Sequence, residues 1–375
     1  MEKGRTRQFF AGSNTAYGFY SLFHYIPGQV DRRLVIIKGG PGTGKSTLMK
    51  GIGNRAMEQG FDIEQFYCSS DSNSLDGVAV PSLGFAVVDG TAPHVIDPVY
   101  PGAMDEIINL GRFWNSSVLQ QHKGEISDLI GQSKIIYPQA YQYLKEANVV
   151  MEKLRYLMSL AMDYFSLSKM SHQLLNELVA ALPPAKTKPV ERHLFAGAVS
   201  SAGLMNFYPS ILQDCTTLYL LTGDPGTGKS YLLQQVYDTV RRAGHDLEVY
   251  RCPFDPERID AVVVPVLQTA FVKATYPHSF SLEATHQLRS QITLTLGKYA
   301  RVSSLKSTSG ERAENLERFW FLLGKAVENF QRAKRVHLKL EEYYIPVMDF
   351  NQICKLQEEI MRNLLPDTAY KMNAQ

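Results

Sequence analysis

Short apolar runs that end in glycine, each followed by a helical stripe, set the rhythm of the first third of the chain. "RRLVIIKGG" carries four consecutive apolar residues into glycines and predicts a buried strand. "KSTLMKGIGNRAMEQG" places Leu48, Met49, Ile52 and Ala56 at helical spacing and closes on Gly60, a helix with its C-terminal cap. "FDIEQFYCSS" alternates and predicts a second strand, and "GFAVVDG" a third, short and buried. Strand, helix, strand, strand with glycine turns is the pattern of an α/β unit on a parallel sheet. From Ser116 to Leu182 the period changes. Leu144, Val149, Met151, Leu154, Leu157, Met158, Ala161 and Phe165 sit on long helical stripes. Such stripes pack as a hairpin on their own domain or on each other, or they offer a surface to a protein partner.

The whole pattern then returns. "RQFFAG" (from Arg7) recurs as "RHLFAG" (from Arg192), and "GPGTGKS" as "DPGTGKS", with Lys45 and Lys229 lying 184 positions apart. Cys68 and Cys252, Asp71 and Asp255, Asp76 and Asp260, Pro81 and Pro265, and His94 and His278 keep the same shift of 184. Strands are predicted again at "TTLYLLTG", "HDLEVYRC" and "TAFVKA", and a helix at "KSYLLQQVYDTVRRAG". Met162 and Met348 are 186 apart, so the shift drifts by only two residues over a unit of domain size. This is a duplicated domain, not a short-period solenoid. The predicted division is residues 1–182, with a helical arm over about 116–182, and residues 191–375, with an arm over about 309–365. Residues 183–190, in the proline-rich "ALPPAKTKPVERH", make the linker. "RHLFAG" either begins the second sheet or completes the first. Ser309 stands as an N-cap before "GERAENLERF".

Composition narrows the class without naming a chemistry. The 375 residues are 45% apolar and 20% charged, ordinary for a globular protein. A net charge of +2 gives no field that would draw nucleic acid or an anionic membrane. "QRAKRVHLKLEE" is basic on one face but lacks interleaved aromatics, so it reads as a solvated face. The four cysteines have no metal-site pairing and read as reduced thiols. No apolar run approaches membrane-helix length and no signal peptide opens the chain, so the expectation is a cytoplasmic protein.

The chemistry is concentrated in two stretches: Gly39, Gly40, Pro41, Gly42, Thr43, Gly44, Lys45, Ser46 and Thr47, and Gly223, Asp224, Pro225, Gly226, Thr227, Gly228, Lys229, Ser230 and Tyr231. Both fit the phosphate-binding loop G-x-x-x-x-G-K-[ST], after a strand and before a helix. Glycines let successive N–H groups turn toward phosphate oxygens, and the lysine adds a point charge at the β- and γ-phosphates. The Ser46 hydroxyl is offered to Mg²⁺ and the helix N-terminus faces the same anion. The fold expectation is therefore two tandem P-loop NTPase domains of the α/β class with parallel central sheets, each carrying an α-helical hairpin extension.

Mg²⁺ also needs a carboxylate at a neighbouring strand end, and Asp89, closing "FAVVD", is the candidate in the first half. Gly90 follows it, where many ATPases have a water-activating glutamate. Asp71, which ends the second strand, could orient a water or an acceptor hydroxyl, or could cap the next turn. His94 and His278 are candidate γ-phosphate sensors or structural histidines. Arg112 is a candidate arginine finger. In the second half the position of Asp89 is held by Lys273. An ammonium there marks a decayed metal site, or binds phosphate in the metal's place, or points to solvent.

With "FAG", "GGPGTGKST", "CSSDSNSLDGV" and "DGTAPHVIDPVYPGAMDEIINLG", then "FAG", "GDPGTGKS" and "FDPERID", the chain resembles a family of bacterial tandem P-loop proteins generally described as ATPases of unknown role. The likeness spans both copies and is strongest from Phe9 to Gly111. It implies ATP binding and P-loop NTPase architecture, and no particular substrate. In the family the second copy usually ends its strand in aspartate. Lys273 departs from that, and "MDEII" has no acidic counterpart near Gln287–Ser290. The leading expectation is a Mg²⁺-dependent ATPase with Lys45, Asp71 and Asp89 in the competent first site and a degenerate nucleotide or phosphate site in the second half. The alternatives are a P-loop kinase that transfers the γ-phosphate to a small acceptor, and a nucleotide-sensing scaffold without turnover.

Overall fold

The computed structural model describes residues 2–26, 33–185, 188–277 and 288–364. In the first half β1 (Thr6–Phe9) leads into the hairpin β2 (Gly12–Thr15) and β3 (Gly18–Ser21). β4 (Arg33–Lys38), α1 (Lys45–Glu58), β5 (Ile63–Tyr67), β6 (Leu75–Val80), β7 (Phe85–Asp89) and β8 (Asp105–Asn109) follow. The arm is α2 (Ser116–Gln121), α3 (Lys123–Ser159) and α4 (Tyr164–Ala181). The second half repeats the order with β9 (Glu191–Phe195), β10 (Gly197–Ser200), β11 (Gly203–Asn206), a short α5 (Tyr208–Ile211), β12 (Thr217–Thr222), α6 (Lys229–Arg242), β13 (Leu247–Arg251), β14 (Ile259–Val264), β15 (Thr269–Lys273) and β16 (Ser290–Thr295). Its arm is α7 (Val302–Ser307), α8 (Ser309–Tyr344) and α9 (Phe350–Leu364).

Each half builds a six-stranded sheet in the same order, β1-β5-β6-β7-β4-β8 and β9-β13-β14-β15-β12-β16. The sheets are mixed, which corrects the expectation of wholly parallel ones. β6 runs antiparallel to β5 and β7, and β14 antiparallel to β13 and β15. The connections force this: Cys68–Ser74 and Pro81–Gly84 are far shorter than the dozen or so residues a parallel crossover needs. Both antiparallel strands escape the sequence reading because a buried aspartate, Asp76 or Asp260, interrupts each apolar run at its second residue. The remaining pairings are parallel and set β4 between β7 and β8, with Ile37 opposite Asp89. In the second half the same rung puts Leu221 opposite Lys273.

The arms do not fold back on their own sheets. At 1.5 Å per residue, a helix as long as α3 reaches about 55 Å, past its own half. α3 and α8 pack antiparallel along each other. Ala140, Leu144, Ala147 and Leu154 interleave with Phe319, Leu322, Ala326 and Phe330, and Lys153 pairs with Glu311 at 2.8 Å. Beyond that seam each arm ends on the opposite half. Leu167, Leu174 and Leu178 of α4 share a core with Leu232, Leu233 and Val236 of α6. Met348, Ile353 and Ile360 share one with Leu48, Met49 and Ile52 of α1. Of the expected stripe, Val149 and Phe165 are exposed and the rest is buried or half-buried. Ser309 is the first residue of α8 and not its cap; its hydroxyl donates to the Lys306 carbonyl.

The halves also meet directly. Phe10 and Phe195 exchange two backbone hydrogen bonds of 3.0 Å. "RHLFAG" begins the second sheet, since β9 pairs with β13. Arg7 grips Glu248 at 2.5 and 2.8 Å, and Arg192 grips Glu64 with two contacts of 2.6 Å, the same pair made twice across the join. One buried cluster takes Phe9, Phe23, Leu34 and Phe66 from the first half and Leu194, Tyr208, Leu218 and Tyr250 from the second. No described helix is long and apolar enough to cross a membrane.

Candidate functional site

The first glycine loop connects β4 to α1. Gly42 and Gly44 take φ of 66° and 82°, a region open to glycine and strained for other residues, and this is how the loop turns tightly enough to start α1 at Lys45. Thr43 is buried and donates to the Gly40 carbonyl at 2.9 Å. The Lys45 ammonium folds over the loop and donates to the carbonyls of Gly39 and Gly40 at 3.0 and 2.8 Å. Its Nζ faces Asp89 Oδ2 at 3.6 Å. Asp89 Oδ1 accepts from the Thr91 amide at 2.8 Å, which fixes the carboxylate at the strand end. Ser46 Oγ accepts from the Leu75 amide at 2.9 Å, so the turn that begins at Asp71 is tied to the loop. Pro41 is half-buried and Thr47 is exposed.

Asp71 closes that turn: it accepts from the Asn73 amide at 3.3 Å and from Ser74 Oγ at 3.1 Å. It also pairs with Lys334 of α8 at 2.8 Å. Burial alone would raise its pKa, but Lys334, Asn73 and Ser74 outweigh that and lower it. The arm of the second half thus holds an acid beside the first loop. Glu341 of the same helix reaches the loop itself. Its carboxylate is held below its ordinary range first by a hydrogen bond from His337, against burial, and further by the Gly42 amide. Trp114 and Tyr344 flank Gly40, and Phe350 flanks Gly44. Arg112 is exposed and stacks on Phe113, 4.8 Å from the ring centre. Asp105 of "MDEII" caps a local turn, accepting from the amides of Val99 and Tyr100 at 2.8 Å each.

The second loop has the same backbone plan, with Gly223, Gly226 and Gly228 at positive φ. Lys229 again bonds loop oxygens: the carbonyl of Gly223, that of Asp224 at 2.8 Å and Thr227 Oγ1 at 3.3 Å. Lys273 is buried and does not point to solvent. Its ammonium lies 2.5 Å from Asp260 Oδ1. The first half's arm closes over this loop, and a methyl group on Gly226 would meet the Arg155 carbonyl oxygen at 2.3 Å. Arg155 and Arg258 hold Asp255 at 3.3 and 2.7 Å, and Arg312 holds Asp224 at 3.1 Å. Ser230 and Tyr231 open α6, and a cavity of about 340 Å³ lies over the loop between Lys229, Lys273 and Arg155.

Sequence reasoning missed one grouping. Cys68, Asp76 and His94 bring their ligand atoms within 4.8 Å of one another. His94 is sandwiched on Phe23 at 4.7 Å and edge-on to Phe19 at 4.8 Å, with Nε2 3.3 Å from Asp76. Burial pushes Asp76 up to about 6; His94 opposes the shift and the nearby Asp89 adds to it. Burial likewise raises the Cys68 thiol. The signal available in the sequence was the shared shift of 184 for all three residues, which marks them as parts of one repeated unit. In the second half Cys252 and Asp260 recur, Lys273 joins them, and His278 lies outside the described residues. Compared with protein-family models, curated proteins and solved structures, the chain finds no match.

Proposed function

We propose that the chain is a P-loop nucleoside triphosphatase of tandem build, binding Mg²⁺-ATP on its first loop and hydrolysing it there. The observation that carries this reading is Lys45, folded over the Gly39 and Gly40 carbonyls at a helix N-terminus and 3.6 Å from a strand-end carboxylate. The donor set suits a hard divalent cation. Asp89 lies close enough to Asp76 for its charge to push that carboxyl up, and the Ser46 hydroxyl stands at the start of the same helix. Ser46 and Asp89 would hold the metal, which would supply charge neutralisation on the phosphate chain. The chain's own part is to position: loop amides cradle the phosphates, and Lys45 releases its carbonyl contacts to meet the anion. In the second half an ammonium paired to Asp260 replaces Asp89, so that set does not suit a metal.

The kinase reading draws support from Asp76. A buried carboxyl held at about 6, close to Asp89 and Lys45, can take the proton of an acceptor hydroxyl near neutral pH. Single-turnover phosphate release with Mg²⁺ separates these readings. Lys45→Ala should abolish release and Lys229→Ala should largely spare it. Equal loss from both would sink the one-active-site version, label appearing on an added hydroxyl acceptor would favour the kinase, and binding without turnover would leave a scaffold.

A further inference from the structure

Around the second loop three matched positions are more positive than around the first. Asp89 of the first half corresponds to Lys273, Ser74 to Arg258, and Glu341 on α8 to Arg155 on α3, the last pair at the arm's shift of 186. Each arm residue stands at the opposite half's loop: Glu341 at Gly42 and Arg155 at Gly226. The first loop therefore meets an anion from its covering arm, and the second meets a cation.

The consequence is a cavity with surplus positive charge. Arg155, Lys229, Arg258 and Lys273 line it, and Asp260 is the carboxylate among its described lining residues. Asp255 stands against the two arginines, so two positive charges stay uncompensated by these carboxylates. Lys229 and Lys273 are buried, where surplus charge is costly unless a counter-ion arrives. Lys229 registers this: burial first, then Lys273, pull it down to about 7, with Asp224 and Asp260 opposing and Arg155 assisting. The volume is at the small end, roughly 300 Å³ upward, of small-molecule sites. Tyr156, Tyr231 and Tyr276 supply aromatic wall.

We propose that this cavity binds a di- or triphosphate chain without a divalent cation, with Lys273 standing where the metal would stand and Arg155 of the other half's arm closing the site. The proposal deepens the functional reading above and rests on Gly223–Tyr231 being a phosphate cradle. The ligand couples the halves. Arg155 lies near the C-terminus of α3, α3 packs along α8, and the C-terminal end of α8 covers the first loop. An anion that fixes Arg155 fixes the helix pair whose other end carries Glu341, and linkage requires the first site to be felt at the second in turn.

The test is calorimetry on the full chain carrying Lys45→Ala, in EDTA, titrated with ATP and, separately, with inorganic tripolyphosphate. One equivalent of at least one of them should bind, and added Mg²⁺ should not strengthen it. Arg155→Ala should weaken binding by about 10- to 100-fold, the effect of removing one charge-assisted hydrogen bond from a buried anion site. Arg155→Lys should recover part of that affinity, which a purely structural role would not predict. ATP binding tighter than tripolyphosphate assigns a nucleoside-linked ligand; equal affinity assigns the phosphate chain alone. Where Arg155→Ala lowers the melting temperature, Lys273→Gln is the second variant, and it too should lose binding in EDTA. Failure to bind either compound without Mg²⁺, or affinity unmoved by the Arg155 and Lys273 substitutions, overturns the proposal. Loss of Mg²⁺-dependent turnover in the unmutated chain would overturn only the first-loop reading, because binding in EDTA does not depend on it.

Discussion

Lys45 and Lys229 hold one pose with opposite neighbours. Both ammonium groups lie on carbonyls of their own loop, but Lys45 faces Asp89 and Lys229 shares its cavity with Lys273. The sequence showed which residue types stand at these points, because a glycine loop needs its spacing to turn and a lysine to meet phosphate. It could not show that Glu341 is the residue meeting the Gly42 amide, since the two are about 300 positions apart and no motif joins them. On the proposed reading, a phosphate at this loop would need the N–H that Glu341 holds and would be repelled by its charge. Glu341→Gln should therefore tighten nucleotide binding at the first loop by about 5-fold, near 1 kcal/mol. Titration of a labelled ATP analogue against the Lys229→Ala background reads it, and unchanged or weaker affinity would remove Glu341 from the loop's competition. Gln268 shows a limit of residue-level reading. It adopts φ 46° where the matching turn of the first half has Gly84 at 65°, so the fold kept a geometry that its residue no longer advertises.

At the scale of elements, the strands β4, β5 and β7, the helix α1 and the long arms were legible, because each carries an unbroken apolar run or its own period. β6 and β14 were not: a buried aspartate breaks each apolar run, and their antiparallel direction comes from short turns on either side. For the arms the stripe was readable and the destination was not, because an apolar helix face does not say which apolar face it will cover. The α3–α8 seam is a core in its own right. Phe319 is fully buried in it, packed against Phe254 and Trp320. Phe319→Ala should cost about 3–5 kcal/mol, measured by urea denaturation followed by circular dichroism. A loss under about 1 kcal/mol, typical of a surface change, would mean the seam is peripheral.

On the scale of the whole molecule, the two halves are joined by a duplicated ion-pair system. Glu248 is partly buried and held at about 2. Burial would raise it; Arg7, then Arg192 and the Tyr250 hydroxyl, outweigh burial. A depressed carboxylate stabilises the fold above its ordinary value of 4.5 and loses that contribution as pH falls toward 2. The gap corresponds to about 3 kcal/mol at neutral pH. Glu248→Gln should accordingly be less stable than the unmutated chain at pH 7, with the difference closing between pH 4.5 and about 2. Melting temperatures across that window check it, and a difference that stayed constant with pH would argue against the pair. The sequence repeated Arg7 at Arg192 and Glu64 at Glu248 without revealing that each arginine reaches the other half's glutamate.

The sequence by itself determined the duplication, the α/β class, both glycine loops and the charge reversal at Lys273, because spacing and periodicity are properties of the chain. The tertiary structure decided what stands opposite each loop. Two helices of about 55 Å cross between the halves, so the acid over the first loop and the arginine over the second come from distant segments. Sequence spacing carries local geometry, and only the packed fold brings together residues whose neighbours in the chain share no period.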